Sequence, residues 1–253
     1  MSAKAPAAED VYYRLALWNI GLTLLDVARV NRAAYAEAFR TVTGRPLVQV
    51  PQMAGRTDSE IFFEALAVNA AGPLPGDPAG EELLGVFAGK LAAAFRDRRE
   101  LLTSEGRLMP GAREAVAEVG RLPGLAQTVL TGAIRPNAIE VLRAFGLEQF
   151  VDTEIGGFGS EVFPKGAMLL SARGRAAEKY RADFTEHTTV YIADSTRDVE
   201  AARIGGARAV GVASGRSAAG ELRDAGAQVV LDDLADTAAV VAAVDQLTVP
   251  VRW

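Results

Sequence analysis

The sequence predicts an α/β fold in which a parallel sheet, covered by helices on both faces, is interrupted after its first strand by a helical insertion. Three observations carry this. From about residue 104 onward, short apolar runs alternate with helix-patterned stretches, the signature of strand-helix-strand units. Runs such as "LAQTVLTG" and "TTVYIAD" are nearly continuous in apolar residues, as strands buried on both faces must be. Residues 30 to 102 offer no strand candidate, yet "YRLALWN" before them reads as a buried strand ending in a polar loop.

Each element has a local reason. Val30, Ala34, Ala38 and Val42 recur at helical spacing, and Gly44-Arg45-Pro46 stops that helix. "RTDSEIFFEALAVNAAG" offers Thr57 or Asp58 as N-cap and Gly72 as a stop. "GPLPGDPAG" is a turn-rich connector, followed by one long helical stretch from about Gly80 to Leu102. Thereafter come a helix after Pro110, the strand "LAQTVLTG", a helix from Pro136, a short strand in "FVDTEIGGF", and the helix "PKGAMLLSARGRAAEKY". The strand "TTVYIAD", helix "RDVEAARIGG", strand "RAVGVAS", helix "AAGELRDAG" and strand "QVVLDD" complete the pattern. The expected division is an α/β core at 1–28 and 104–253 with a helical segment at 29–103.

Composition narrows the chemistry. With 49% hydrophobic and 23% charged residues the chain reads as an ordinary globular protein. A net charge of -5 without a long basic run argues against nucleic acid as a partner. No cysteine and a single histidine, His187, exclude thiolate chemistry and multi-histidine metal sites. The small, polar first ten residues lack the apolar core of a signal peptide, and no stretch is long enough to span a membrane, so a cytoplasmic location is expected. The oligomeric state is not legible.

In an open parallel sheet, ligands sit beyond the carboxyl ends of the strands. Those ends are Asn19 to Thr23, Thr131-Gly132, the loop near Lys165, and Asp194 to Asp198. Asp194 and Asp198 in "YIADSTRDVEAA" form a carboxylate pair suited to Mg²⁺, or Asp198 is simply a helix cap. Thr131 and Gly132 in "VLTGAIRP" offer a hydroxyl, close backbone approach and a helix N-terminus to a phosphate oxygen, or form a plain strand-to-helix turn. Lys165 is either a phosphate counter-charge or a solvated lysine.

Taken in order, these motifs resemble the haloacid dehalogenase superfamily, in its phosphatase and phosphoglucomutase-like branch with a helical cap. The resemblance spans about Arg14 to Leu231 and implies a Rossmann-like core with that cap closing over the crevice. It casts Thr131, Gly132 and Lys165 as phosphate-binding residues and Asp194 and Asp198 as acidic metal ligands. The side chain of Asn19 and the carbonyl of Gly21 complete that ligand set. Arg56, in "MAGRTDSEIF", stands where the cap would face the substrate, or is an exposed arginine beside an N-cap.

The first motif departs from the family pattern. Asn19 occupies the nucleophile position, Gly21 the acid/base position and Leu22 the usual glycine. An amide oxygen is a very poor nucleophile towards phosphorus, and losing such a group costs about 10⁴ to 10⁶ in rate where measured for catalytic triads. A classical phosphatase is therefore not expected. Four readings remain: a binder of a phosphorylated or otherwise anionic small molecule between core and cap, with Mg²⁺ held loosely; an enzyme of lyase, cyclase or isomerase type; a residual metal-dependent hydrolase; and a scaffold.

Overall fold

The computed structural model describes residues 12–53, 55–73, 76–160 and 164–248. The polar start of the chain, Trp253, part of the Pro-Gly connector and the residues just before Pro164 lie outside them.

Six strands form one parallel sheet in the order β5-β4-β1-β6-β7-β8. They are β1 (Arg14–Trp18), β4 (Leu125–Thr131), β5 (Gly157–Phe158), β6 (Thr189–Ala193), β7 (Arg208–Val212) and β8 (Val229–Leu231). This is the Rossmann-like α/β architecture that the strand-helix alternation predicts. β1 lies between β4 and β6 and is buried throughout. Its residues alternate between two cores, as period-two geometry requires. Leu15 and Leu17 join the apolar residues of helices α7 (Lys165–Tyr180), α8 (Thr196–Ile204) and α9 (Ala219–Asp224). Ala16 and Trp18 join those of α5 (Ala112–Val119), α6 (Arg135–Ala144) and α10 (Thr237–Leu247).

The sequence reading stops at "QVVLDD" and has no counterpart to α10. This helix docks through buried Arg14, which donates to Thr248 Oγ1 at 2.7 Å and pairs with Asp245 at 2.8 Å. Trp18 is wholly buried, and its indole N–H donates to Gln127 Oε1 at 3.1 Å. It belongs to the core.

Just after β1 the chain leaves the sheet through β2 (Leu25–Asp26) and returns through β3 (Arg107–Leu108), the two paired antiparallel. The described segments between them contain four helices: α1 (Ala28–Thr43), α2 (Asp58–Val68), α3 (Pro78–Arg96) and α4 (Leu101–Glu105). Thr57 caps α2 in a reciprocal box with Glu60, so Asp58 is the first helical residue instead of the cap. That helix ends at Asn69, short of Gly72, because the Asn69 side chain turns back to the Ala65 carbonyl at 2.8 Å. The single long helix expected from Gly80 to Leu102 is instead α3, started by Asp77-Pro78, and a separate short α4. Phe87 stacks on Phe62 at 4.2 Å and meets Tyr35 edge-on at 4.9 Å, tying α1, α2 and α3 together. No helix among the described residues is long and apolar enough to cross a membrane.

Candidate functional site

The three central strands β4, β1 and β6 end side by side. That places Thr131, Asn19 and Asp194 together at the carboxyl end of the sheet. A cavity of about 640 Å³ opens there, lined by Asn19, Gly21, Arg56, Thr131, Gly132, Lys165 and Asp194 among others. Asp198 belongs to the same cluster of side chains but is wholly buried beneath it.

Asn19 is the hub. Its Nδ2 lies 3.0 Å from the Gly21 carbonyl, 2.9 Å from Asp194 Oδ1 and 3.3 Å from Thr23 Oγ1. Its Oδ1 faces Lys165 Nζ at 3.4 Å. The amide orientation follows from chemistry: the reverse would set oxygen against a carboxylate and a carbonyl, and an N–H against an ammonium. The Thr23 hydroxyl donates to the same Asp194 oxygen at 2.8 Å. Burial and the charge of Asp198 raise the Asp194 carboxyl above its ordinary range, opposed by the bonds from Thr23 and Asn19.

Asp198 is enclosed on both oxygens. Lys165 Nζ donates to Oδ1 at 2.6 Å, Tyr191 Oη lies 3.0 Å from the same atom, and the Ser195 hydroxyl donates to Oδ2 at 2.5 Å. Ser195, not Asp198, caps α8, accepting the Asp198 amide at 3.2 Å. Tyr191 stays protonated, its hydroxyl pushed well up by burial and by Asp198.

The Mg²⁺ ligand set that the resemblance implies is not assembled in this geometry. Asn19 turns a nitrogen, not an oxygen, to the Gly21 carbonyl and Asp194, and each Asp198 oxygen already accepts a protein donor. Among the described residues no group of three or more His, Cys, Asp or Glu side chains is placed to hold a metal ion. The residues present do not fit the ion.

The loop after β4, expected to meet a phosphate oxygen, is occupied by the chain itself. The backbone carbonyl of Arg56 presses on Gly132 so closely that a Cβ there would lie 1.8 Å from it. Asp58 N donates to the Gly132 carbonyl at 2.7 Å, and Ile134 N donates to Asp58 Oδ2 at 2.9 Å. The amide at the start of α6, expected to meet a ligand oxygen, thus meets a carboxylate of the chain itself. Burial lifts the Asp58 carboxyl to about 7 despite that bond. Arg56 donates to the Gln52 and Glu60 carbonyls at 3.3 Å each and pairs with Glu64, so its head group ties the loop before α2 to that helix; its Nε is buried with no partner among the described residues.

Sequence reasoning missed several lining or supporting residues. Arg32, Asn137 and Arg216 line the cavity from three separate elements or loops, and no local pattern marks them. Tyr191 is one apolar strand position among others. Ser195 does carry a signal, since Ser-x-x-Asp before a helix is a capping pattern. Arg135, just after the Thr131 loop, lies over the Phe158 ring at 4.9 Å, and His187 Nδ1 pairs with Arg208 at 2.8 Å.

A central parallel sheet with a helical excursion after its first strand and polar residues converging at the strand ends defines a Rossmann-like α/β fold. The chain belongs to the haloacid dehalogenase-like hydrolase family, whose model matches residues 16–203. A hydrolase from Pseudomonas syringae is 23% identical over 89% of this chain and 96% of its own, with a TM-score of 0.62. A predicted phosphatase from Clostridium acetobutylicum is 16% identical, covering 91% and 99% of the two chains, with a TM-score of 0.65. CbbY from Rhodobacter sphaeroides, solved in complex with phosphate, is 21% identical over 91% and 99%, with a TM-score of 0.61. At these identities the likeness is one of fold. A search of curated proteins gives no significant match.

Proposed function

We propose that this protein is a non-hydrolytic member of its family that holds a phosphorylated or otherwise anionic small molecule between the sheet edge and a helical cap. The cap in this reading is the segment 29–103. The observation that carries the reading is Asn19: the residue in line for attack is an amide whose oxygen faces Lys165. A neutral amide cannot take up a phosphoryl group and hand it to water. Gly21 contributes no acid or base, and nothing lies within 4 Å of where its Cβ would be. Thr131 and Lys165 remain to meet an anion, with Arg32 and Arg216 adding positive charge to the cavity lining.

The test is a thermal-stability screen against phosphorylated metabolites, with inorganic phosphate as the reference anion. A binder gains about RT ln(1 + [L]/Kd) of stability. No shift across a broad panel overturns the reading in favour of a scaffold. One observation favours a second reading, an enzyme of non-hydrolytic chemistry: Asp58 lines the cavity with a carboxyl near neutrality, where a general acid or base works best. Consumption of a bound metabolite without phosphate release, abolished by Asp58→Asn, distinguishes it.

A further inference from the structure

We infer that the side-chain amide of Asn19 replaces the divalent cation that the family resemblance implies, so that the Asp194 end of this pocket is built to work without a metal ion. The acceptors that converge on Nδ2 are the Gly21 carbonyl and a carboxylate oxygen of Asp194. Hard cations collect oxygen ligands of these two kinds. Here two N–H groups satisfy them, and the nitrogen is fixed covalently at the end of β1.

Admitting an ion would require the amide to turn over. That rotation forfeits the bond to Asp194 and brings Nδ2 against the ammonium of Lys165, now 3.4 Å from Oδ1. Asp198 offers no relief, because it is wholly buried beneath the cavity with Oδ1 paired to Lys165 and Oδ2 bonded by Ser195. Charge leads to the same conclusion. An aspartate at position 19 would place three carboxylates around one lysine, an arrangement that calls for a cation. Asparagine removes one of those charges and supplies donors in the cation's place.

The experiment uses metal alone, so a failed ligand screen leaves its outcome unaffected. Chelator-treated protein is titrated with Mn²⁺, and free aqueous Mn²⁺ is followed by electron paramagnetic resonance, with Mg²⁺ as competitor. Wild-type protein is expected to leave the free Mn²⁺ signal undiminished, apart from any binding that Asp194→Asn does not remove. Asn19→Asp is expected to bind one Mn²⁺ at least about tenfold more tightly than wild type, in line with the effect of ligand-sphere changes elsewhere. One Mn²⁺ bound by wild type, displaced by Mg²⁺ and lost in Asp194→Asn, overturns the inference. Should Asn19→Asp fail to fold by circular dichroism, the comparison of wild type with Asp194→Asn decides alone.

Discussion

The carboxylate of Asp58, at the start of α2, accepts the backbone amide of Ile134, at the start of α6, at 2.9 Å. With the bond from Asp58 N to the Gly132 carbonyl at 2.7 Å, it joins the helical segment to the loop after β4. Burial raises this carboxyl from 3.8 to about 7. An acid whose folded pKa is raised binds its proton more tightly when folded, so it favours folding fully at low pH. That contribution falls as pH climbs from near 4 to about 7 and is constant above. Asp58→Asn keeps an acceptor for Ile134 but cannot titrate. Chemical denaturation between pH 4 and 8 is expected to show a shallower fall in stability for the variant; equal slopes would rule Asp58 out as the titrating group.

The chemistry assigned to Asn19 predicts a gain of function. Wild-type protein with Mg²⁺ is expected to leave p-nitrophenyl phosphate unhydrolysed above background. The double variant Asn19→Asp with Gly21→Asp is expected to restore metal-dependent turnover, since a side chain at position 21 meets open space. General acid-base help alone is worth about 10² to 10⁴ in rate, so Asn19→Asp by itself should lag the double variant by a comparable factor. Mass spectrometry of the wild type guards against deamidated Asn19 imitating the effect.

Leu22 holds a φ of 60°, left-handed backbone that a leucine rarely adopts. Relief of about 1–2 kcal/mol of strain in Leu22→Gly is offset by glycine's greater loss of freedom, about 0.5–1 kcal/mol, and by the lost contacts of a partly buried side chain. The variant is expected to fall within about 1 kcal/mol of wild type. A β-branched Leu22→Val should lose clearly more. Equal losses in urea denaturation would contradict the strain.

Lys165 and Asp198 form a buried pair at 2.6 Å. Lys165→Met leaves a carboxylate with no counter-charge and is expected to cost about 3–5 kcal/mol. Asp198→Asn in the same chain should recover part of that loss. A double-mutant cycle reads the coupling, and additive losses would show the pair to be energetically inert.

The sheet was legible because its strands are continuous apolar runs, and the site because polar residues stop them: Asn19 after Trp18, Thr131 at the end of β4, Asp194 after Ala193. What escaped depends on approach between distant segments. Asp58 looks like a helix start in sequence, and only the fold brings the Ile134 amide to it across 76 positions. The orientation of the Asn19 amide was equally hidden, since it is decided by Lys165 on one side and Asp194 on the other. Helix α10 escaped for a different reason: "TAAVVAAVDQL" has small apolar residues on nearly every side and little of the polar face that marks an amphipathic helix.

The pairing of Leu25 with Leu108 and Asp26 with Arg107 sets the start and finish of the long helical detour opposite each other on one small ladder. A tight turn could bridge that gap, so the strand order is indifferent to what is spliced between the rungs. Evolution can exchange the whole detour, provided the replacement again covers the apolar surface that Val129 and Ala138 share with Val30 and Phe87.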